Sequence, residues 1–248
     1  MNKILLIVLL SFTMLSAGNI KIAIATNVSY AIGELKKEFN KSYPKINVQV
    51  ILGSSGKLTA QIKHAAPFGL FMSADMKYPE ALYRDKIAIT KPLVYAQGSL
   101  AYLSVKKHDF SKGAELLKDT SIKKIAIANP KTAPYGLATK EALINAKIYD
   151  DIKSKFVYAE SISQTVTYAV KAADIGIISK SSLFSPQMKH FKEGINWSDV
   201  NASLYTPISQ GMVILREAKG NTEIKAFYDF MMSAEAKSIL KSFGYKVL

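Results

Sequence analysis

The 248-residue sequence predicts an α/β protein of two mixed-sheet lobes joined by two crossing strands. Three observations carry this reading. Apolar runs of strand period alternate repeatedly with runs of helical period, the pattern of helix layers on largely parallel sheets. The rhythm breaks after Lys91-Pro92, where Leu93-Val94-Tyr95 and Leu100 to Val105 read as long strands with little helix between them. Near the C-terminus Tyr205 to Pro207 and Met212 to Leu215 read as a strand returning to the first block. The boundaries that follow are 19–96 plus 207–248 for the first lobe and 97–206 for the second. At 49% hydrophobic residues the chain can fill two cores.

The elements follow in order. Met1 to Gly18 opens with Lys3, runs through mostly apolar Ile4 to Leu15 and ends in small Ser16-Ala17-Gly18, a secretory signal peptide by pattern. Its apolar run of about 12 residues is short of the roughly 20 that a membrane span needs. Ile20, Ile22 and Ile24 alternate as a strand, Thr26-Asn27-Val28-Ser29 interrupts it, and Ile32, Leu35 and Phe39 mark a helix that Pro44 ends. Ile46 to Leu52 is a second strand, followed by Gly53-Ser54-Ser55-Gly56 and a helix carrying Leu58 and Ile62. Leu70-Phe71-Met72 is a third, ending at Ser73-Ala74-Asp75, either of whose polar ends can cap the helix of Tyr78, Ala81 and Leu82.

In the second block Lys124 to Ala128 is a strand, Asn129 to Gly136 a Pro-bearing loop and Leu137 to Ala146 a helix. Phe156 to Ala159, the turn Glu160 to Ser163, the helix Gln164 to Lys171 and the fully apolar Ile175-Gly176-Ile177-Ile178 repeat the unit. Ser181 to Asn201 reads as irregular, and Thr222 to Phe243 as one or two closing helices.

Composition narrows the function. The absence of cysteine removes disulfides, thiolate metal sites and a cysteine nucleophile. Formal charge is +14, and +13 without the leading segment that holds Lys3. The lysine pairs Lys36-Lys37, Lys106-Lys107 and Lys123-Lys124 are scattered between apolar positions, as on solvated surfaces, so no nucleic-acid partner is expected. His64, His108 and His190 stand without a second ligand nearby and read as surface residues. Gly53-Ser54-Ser55-Gly56 lacks the spacing of a hydrolase elbow, and Asp75, Glu80, Glu160 and Asp174 fix no carboxylate pair. No catalytic residue and no resident cofactor or metal follow, and the protein is not expected to be an enzyme.

Four strand-to-helix junctions share one character: Asn27-Val28-Ser29, Gly53 to Gly56, Thr132 to Gly136 and Ser161-Ile162-Ser163. Strand C-termini of open α/β sheets face a common crevice, so these helix starts can converge there with hydroxyls, amides and partial positive charge. Such a cleft suits a deprotonated oxyanion, because each hydrogen bond to a charged group contributes roughly 1.5 to 3 kcal/mol. A plain set of helix caps is the competing reading of any one junction.

The ordered motifs resemble those of a known family. Lys21-Ile22-Ala23-Ile24-Ala25 to Val28-Ser29, Gly53-Ser54-Ser55-Gly56-Lys57-Leu58, Ala66-Pro67 to Asp75, Asn129-Pro130 to Pro134-Tyr135-Gly136, Ile224 to Phe230 and Phe243-Gly244-Tyr245 resemble the ModA-type periplasmic molybdate-binding proteins. The resemblance implies a type II periplasmic-binding-protein fold. It also implies a monomeric periplasmic receptor that closes on molybdate or tungstate and delivers it to an ABC permease. Molybdenum or tungsten would be bound only as the oxyanion, by Ser29, Ser55, Tyr135 and Ile162, with backbone N–H donation from the last two.

Two positions depart from the family. Ser179 stands where many members place a tyrosine hydroxyl on the oxyanion, and serine is shorter; Tyr30 and Tyr135 are nearby phenols that could substitute. Gly69 replaces the usual aspartate of the Pro-x-Asp-Leu-Phe segment, a structural contact. Lys57 falls on a helix surface by the same comparison. A sulfate or thiosulfate receptor, a secreted phosphoester-directed enzyme and a purely structural secreted domain are the alternatives.

Overall fold

Every strand of the protein belongs to one of two five-stranded sheets among the residues that the computed structural model describes, 18–247. The expected signal peptide lies outside those residues except for Gly18, which already pairs with Ile46. The chain begins with β1 (Gly18–Ala25), a 3-10 turn (Thr26–Tyr30) and α1 (Ile32–Ser42). Alternation in β1 places Ile20, Ile22 and Ile24 on one face against Leu35 and Phe39 of α1, while Ala23 faces the opposite core. Then come β2 (Ile46–Gly53), α2 (Ser55–Lys63), β3 (Leu70–Met72), α3 (Lys77–Arg84) and β4 (Leu93–Gly98). Asp75, one residue before the Met76 N-cap of α3, accepts the Tyr78 N–H on Oδ1 at 3.3 Å, and the cap itself makes no side-chain hydrogen bond.

The second sheet takes over immediately, with β5 (Leu100–Leu103), β6 (Ile125–Ala128), α4 (Pro134–Asn145), the short α5 (Tyr149–Ile152), β7 (Phe156–Ala159) and α6 (Ile162–Lys171). It ends with β8 (Ile175–Ser179) and β9 (Trp197–Asp199). The return strand β10 (Ile208–Ile214) leads to α7 (Thr222–Phe230) and α8 (Ala234–Ser242). Sheet orders are β2-β1-β3-β10-β4 and β7-β6-β8-β5-β9. The three βα strands on one side of each sheet, β2-β1-β3 and β7-β6-β8, pair in parallel and the remaining pairs are antiparallel, so both sheets are mixed.

Differences from the sequence reading are local. The return strand is one run from Ile208 to Ile214 and not two flanking pieces, because the buried polar Gln210 interrupts its apolar pattern. Ser181 to Asn201, read as irregular, contains 3-10 turns and the strand β9. Gly69 is explained by packing: a Cβ there would lie 2.5 Å from Ile224 Cδ1 of α7. No helix among the described residues is long and apolar enough to cross a membrane.

Candidate functional site

A small cavity sits where the two sheets' strand ends face each other, lined by Ala25, Thr26 and Asn27 after β1, Ser54 and Ser55 after β2, and Ala74 after β3. Ala133, Pro134 and Tyr135 at the start of α4 and Ile162 at the start of α6 close it from the other lobe. The space left for the centre of a water-sized sphere is about 10 Å³, room for a single small species and far below the usual range of organic-ligand pockets. A peptide or a sugar is too large for it.

Three helix N-termini point their first-turn N–H groups into this space. The donors of Ser55, Tyr135 and Ile162 have no acceptor within their own helices. Neither α2 nor α4 receives a side-chain cap at Ser54 or Ala133, which leaves those donors open, whereas Ser161 Oγ accepts from Gln164 N at 3.3 Å in α6. Ser55 Oγ accepts the Ala74 N–H at 3.0 Å, so its own proton is directed elsewhere. Thr26 Oγ1 and Ser54 Oγ are buried without a protein partner. No charged side chain lines the cavity. The site is therefore a set of neutral donors reinforced by helix dipoles, which favours a small anion.

Of the residues expected to bind, Ser55, Tyr135 and Ile162 are brought together here. Ser29 is not among the lining residues; it lies half-buried in the later part of the Thr26–Tyr30 turn. The segment meets the cavity at its beginning, through Thr26 and Asn27, because the 3-10 turn starts directly at the end of β1. Ser179 is fully buried opposite Leu100 at the end of β8, its Oγ unpartnered, and it too lies outside the lining. Tyr30 packs on both the first lobe's core and the second lobe's cluster around Val166 and Leu183, outside the lining. Thr26, Asn27 and Ser54 line the cavity in addition to the expected set. The visible signal was the unbroken polar run Thr26-Asn27, but the hydroxyl nearest the helix was chosen over the one nearest the strand.

The comparisons with known proteins agree with this geometry. The profile of the bacterial extracellular solute-binding proteins matches residues 20–246. The molybdate-binding protein ModA of Azotobacter vinelandii is 31% identical over 92% of this chain and 90% of its own length. That of Rhodobacter capsulatus is 31% identical over 93% and 89%. The solved structure of an Azotobacter vinelandii periplasmic molybdate-binding protein superposes with a TM-score of 0.85 at 30% identity, covering 92% of this chain and 99% of that one. The chain is a bacterial extracellular solute-binding protein of the ModA type.

In this solute-binding protein the lobes are closed over the cavity. The Gly56 N–H donates to Thr132 O at 2.9 Å, and Ser181 Oγ donates to Asn27 O at 3.1 Å, each across the cleft. Lys57 Nζ meets Glu160 Oε2 at 2.6 Å, so the lysine beside the anion loop is spent on the opposite lobe. Its side chain is 48% exposed and that of Glu160 72%, so the pair contributes less than about 1 kcal/mol. Lys57→Ala is therefore expected to change ligand affinity by less than about fivefold, checked by calorimetry at low and high salt.

The histidines are remote from the chemistry: none of His64, His108 and His190 lines the cavity. Among the described residues no cluster of His, Cys, Asp and Glu could hold a metal ion. Behind the lining runs a buried, uncharged network. Asn27 Nδ2 donates to Gln210 Oε1 at 2.9 Å and to Tyr245 Oη at 3.1 Å, and Gln210 Nε2 donates to Tyr135 Oη at 3.1 Å. Burial pushes the Tyr245 phenol up to about 12 and the Tyr135 phenol well above its ordinary value, so both stay neutral. The Tyr135 hydroxyl faces Gln210 and the backbone of Gly98, and its backbone N–H is what the helix start offers the cavity.

Proposed function

We propose that this protein is an exported periplasmic receptor that captures molybdate, or tungstate in its place, between its lobes and delivers it as a monomer to the membrane permease of an ABC importer. The carrying observation is the small cavity ringed by unpartnered neutral donors at three helix starts. Thr26, Ser54 and Ser55 supply hydroxyls, and the N–H groups of Ser55, Tyr135 and Ile162 supply the remaining donors, with Asn27 at the wall. Molybdenum or tungsten enters only as the tetraoxoanion, held through its oxygens. Binding without a charged partner is sufficient: five or six charge-assisted hydrogen bonds outweigh the ordering and desolvation losses for micromolar affinity, about −8 kcal/mol. The longer metal–oxygen bonds of molybdate and tungstate distinguish them from sulfate and phosphate by size.

Trp197 supplies an assay. It stands half-buried on β9, its Nε1 donating to Phe191 O at 3.3 Å, and packs with the cluster that Tyr30 of the first lobe joins. Titration of the mature protein with molybdate, tungstate, sulfate and phosphate, followed by Trp197 fluorescence and calorimetry, is expected to show a heavy-oxyanion Kd below about 10 μM and weaker binding of the lighter anions. If neither heavy oxyanion binds below that value, the assignment fails.

A further inference from the structure

Gln210 is a polar residue in a place where an apolar one would be easier to accommodate. It is 0% exposed in the middle of β10, and a buried amide loses its water hydrogen bonds unless both ends find partners. Both ends do. The carbonyl accepts from Asn27, which walls the cavity from the first lobe, and the amide donates to Tyr135, which walls it from the second. The β10–β4 register shifts between Gln210 and Gly211, a bulge of the kind that re-aims a side chain. On the facing strand Gly98 leaves the space: a Cβ there would lie 1.9 Å from Tyr135 Oη and 2.7 Å from Gln210 Nε2.

We propose that Gln210 is a positioning residue of the oxyanion site, which registers the Asn27 wall against the Tyr135 helix start as the lobes close. The inference rests on the receptor reading given above. Asn27 and Gln210 belong to the first lobe's sheet and its loop, Tyr135 to the second lobe, so the Gln210–Tyr135 bond is completed on closure. Fixing the phenol at one end of Tyr135 fixes the residue whose backbone N–H faces the cavity at the other. The bond thus favours the closed, liganded form, and its loss speeds release of the ligand while leaving capture unchanged.

The test is a double-mutant cycle on the mature protein with Gln210→Met, Tyr135→Phe and both together. Molybdate Kd, stoichiometry and dissociation rate are read by calorimetry and stopped-flow Trp197 fluorescence, and the melting temperature is read without ligand. Gln210→Met is expected to raise Kd about tenfold, the loss of two ordinary buried hydrogen bonds, through faster dissociation at one site per chain. Tyr135→Phe, which removes one hydroxyl and keeps the ring, is expected to speed dissociation in the same way. The double variant is expected to be no worse than Gln210→Met alone, because Gln210→Met already removes the one bond that Tyr135→Phe removes. Wild-type dissociation in Tyr135→Phe, losses that multiply in the double variant, or a lowered stoichiometry at unchanged Kd would each overturn the proposal. A wild-type protein that binds no oxyanion overturns the receptor reading and this one together; wild-type binding matched by Gln210→Met overturns this one alone.

Discussion

Gly136→Ala is expected to weaken molybdate binding at least 100-fold and to lower the melting temperature of the free protein. Gly136 follows Tyr135 in the first turn of α4, where a Cβ would lie 2.3 Å from Ala128 O, 2.7 Å from Ala128 C and 2.9 Å from Asn129 C. All three atoms are backbone at the end of β6, so no side chain can swing away. Alanine ordinarily favours a helix over glycine by about 1 kcal/mol. Here overpacking, typically 1 to 3 kcal/mol and more against rigid backbone, outweighs that gain. The relief available is to lift the helix start off the strand, which carries the Tyr135 N–H and the Pro134 wall away from the cavity. A displacement near 1 Å is enough to undo a preorganised site. Calorimetry and thermal melting of the purified variant check this, and a wild-type Kd would show that α4 yields without cost.

Ser55→Ala is expected to produce two separable losses. In the proposed role the Ser55 hydroxyl donates to the anion, and its loss is expected to cost roughly 1.5 to 3 kcal/mol, a fall in affinity of about 10- to 150-fold. The same oxygen accepts the Ala74 N–H at 3.0 Å, and its removal leaves that buried donor unpaired. Because Ser55 and Ala74 belong to the same lobe, this second cost, about 1 to 3 kcal/mol, appears as lower stability of the unliganded protein. Thr26→Val provides the contrast. Thr26 Oγ1 has no protein partner, so its loss is expected in affinity with the free protein's melting temperature held. Equal destabilisation by both variants would contradict the roles given to the two hydroxyls.

Strand and helix alternation was legible wherever one face of an element is apolar, as in Ile20, Ile22 and Ile24, or in Ile175 to Ile178, which is buried throughout. Legibility failed where a polar group is buried for a purpose. Gln210 split the reading of β10, since its amide finds partners only in residues 183 and 75 positions away. At the site, the approach of four polar junctions was readable as strand-end geometry, but the reach of single hydroxyls was not. Ser29 and Thr26 differ by three positions in one turn, and only the fold decides which end of that turn meets the cavity. The engagement of Lys57 by Glu160 joins two exposed charges with no shared pattern in the chain.

The first sheet is encoded in two pieces, with β10 inserted between β3 and β4. A polypeptide that emerges N-terminus first can assemble β5 to β9 from contiguous sequence, while β4 waits for its partners β10 and Lys246, both near the C-terminus. Contacts of such long sequence separation form late and slowly. The wall at Asn27 depends on them, meeting Gln210 across 183 positions and Tyr245 across 218. The Asn27 side of the cavity is thereby incomplete until the C-terminal part of the chain, with Gln210 and Tyr245, has docked.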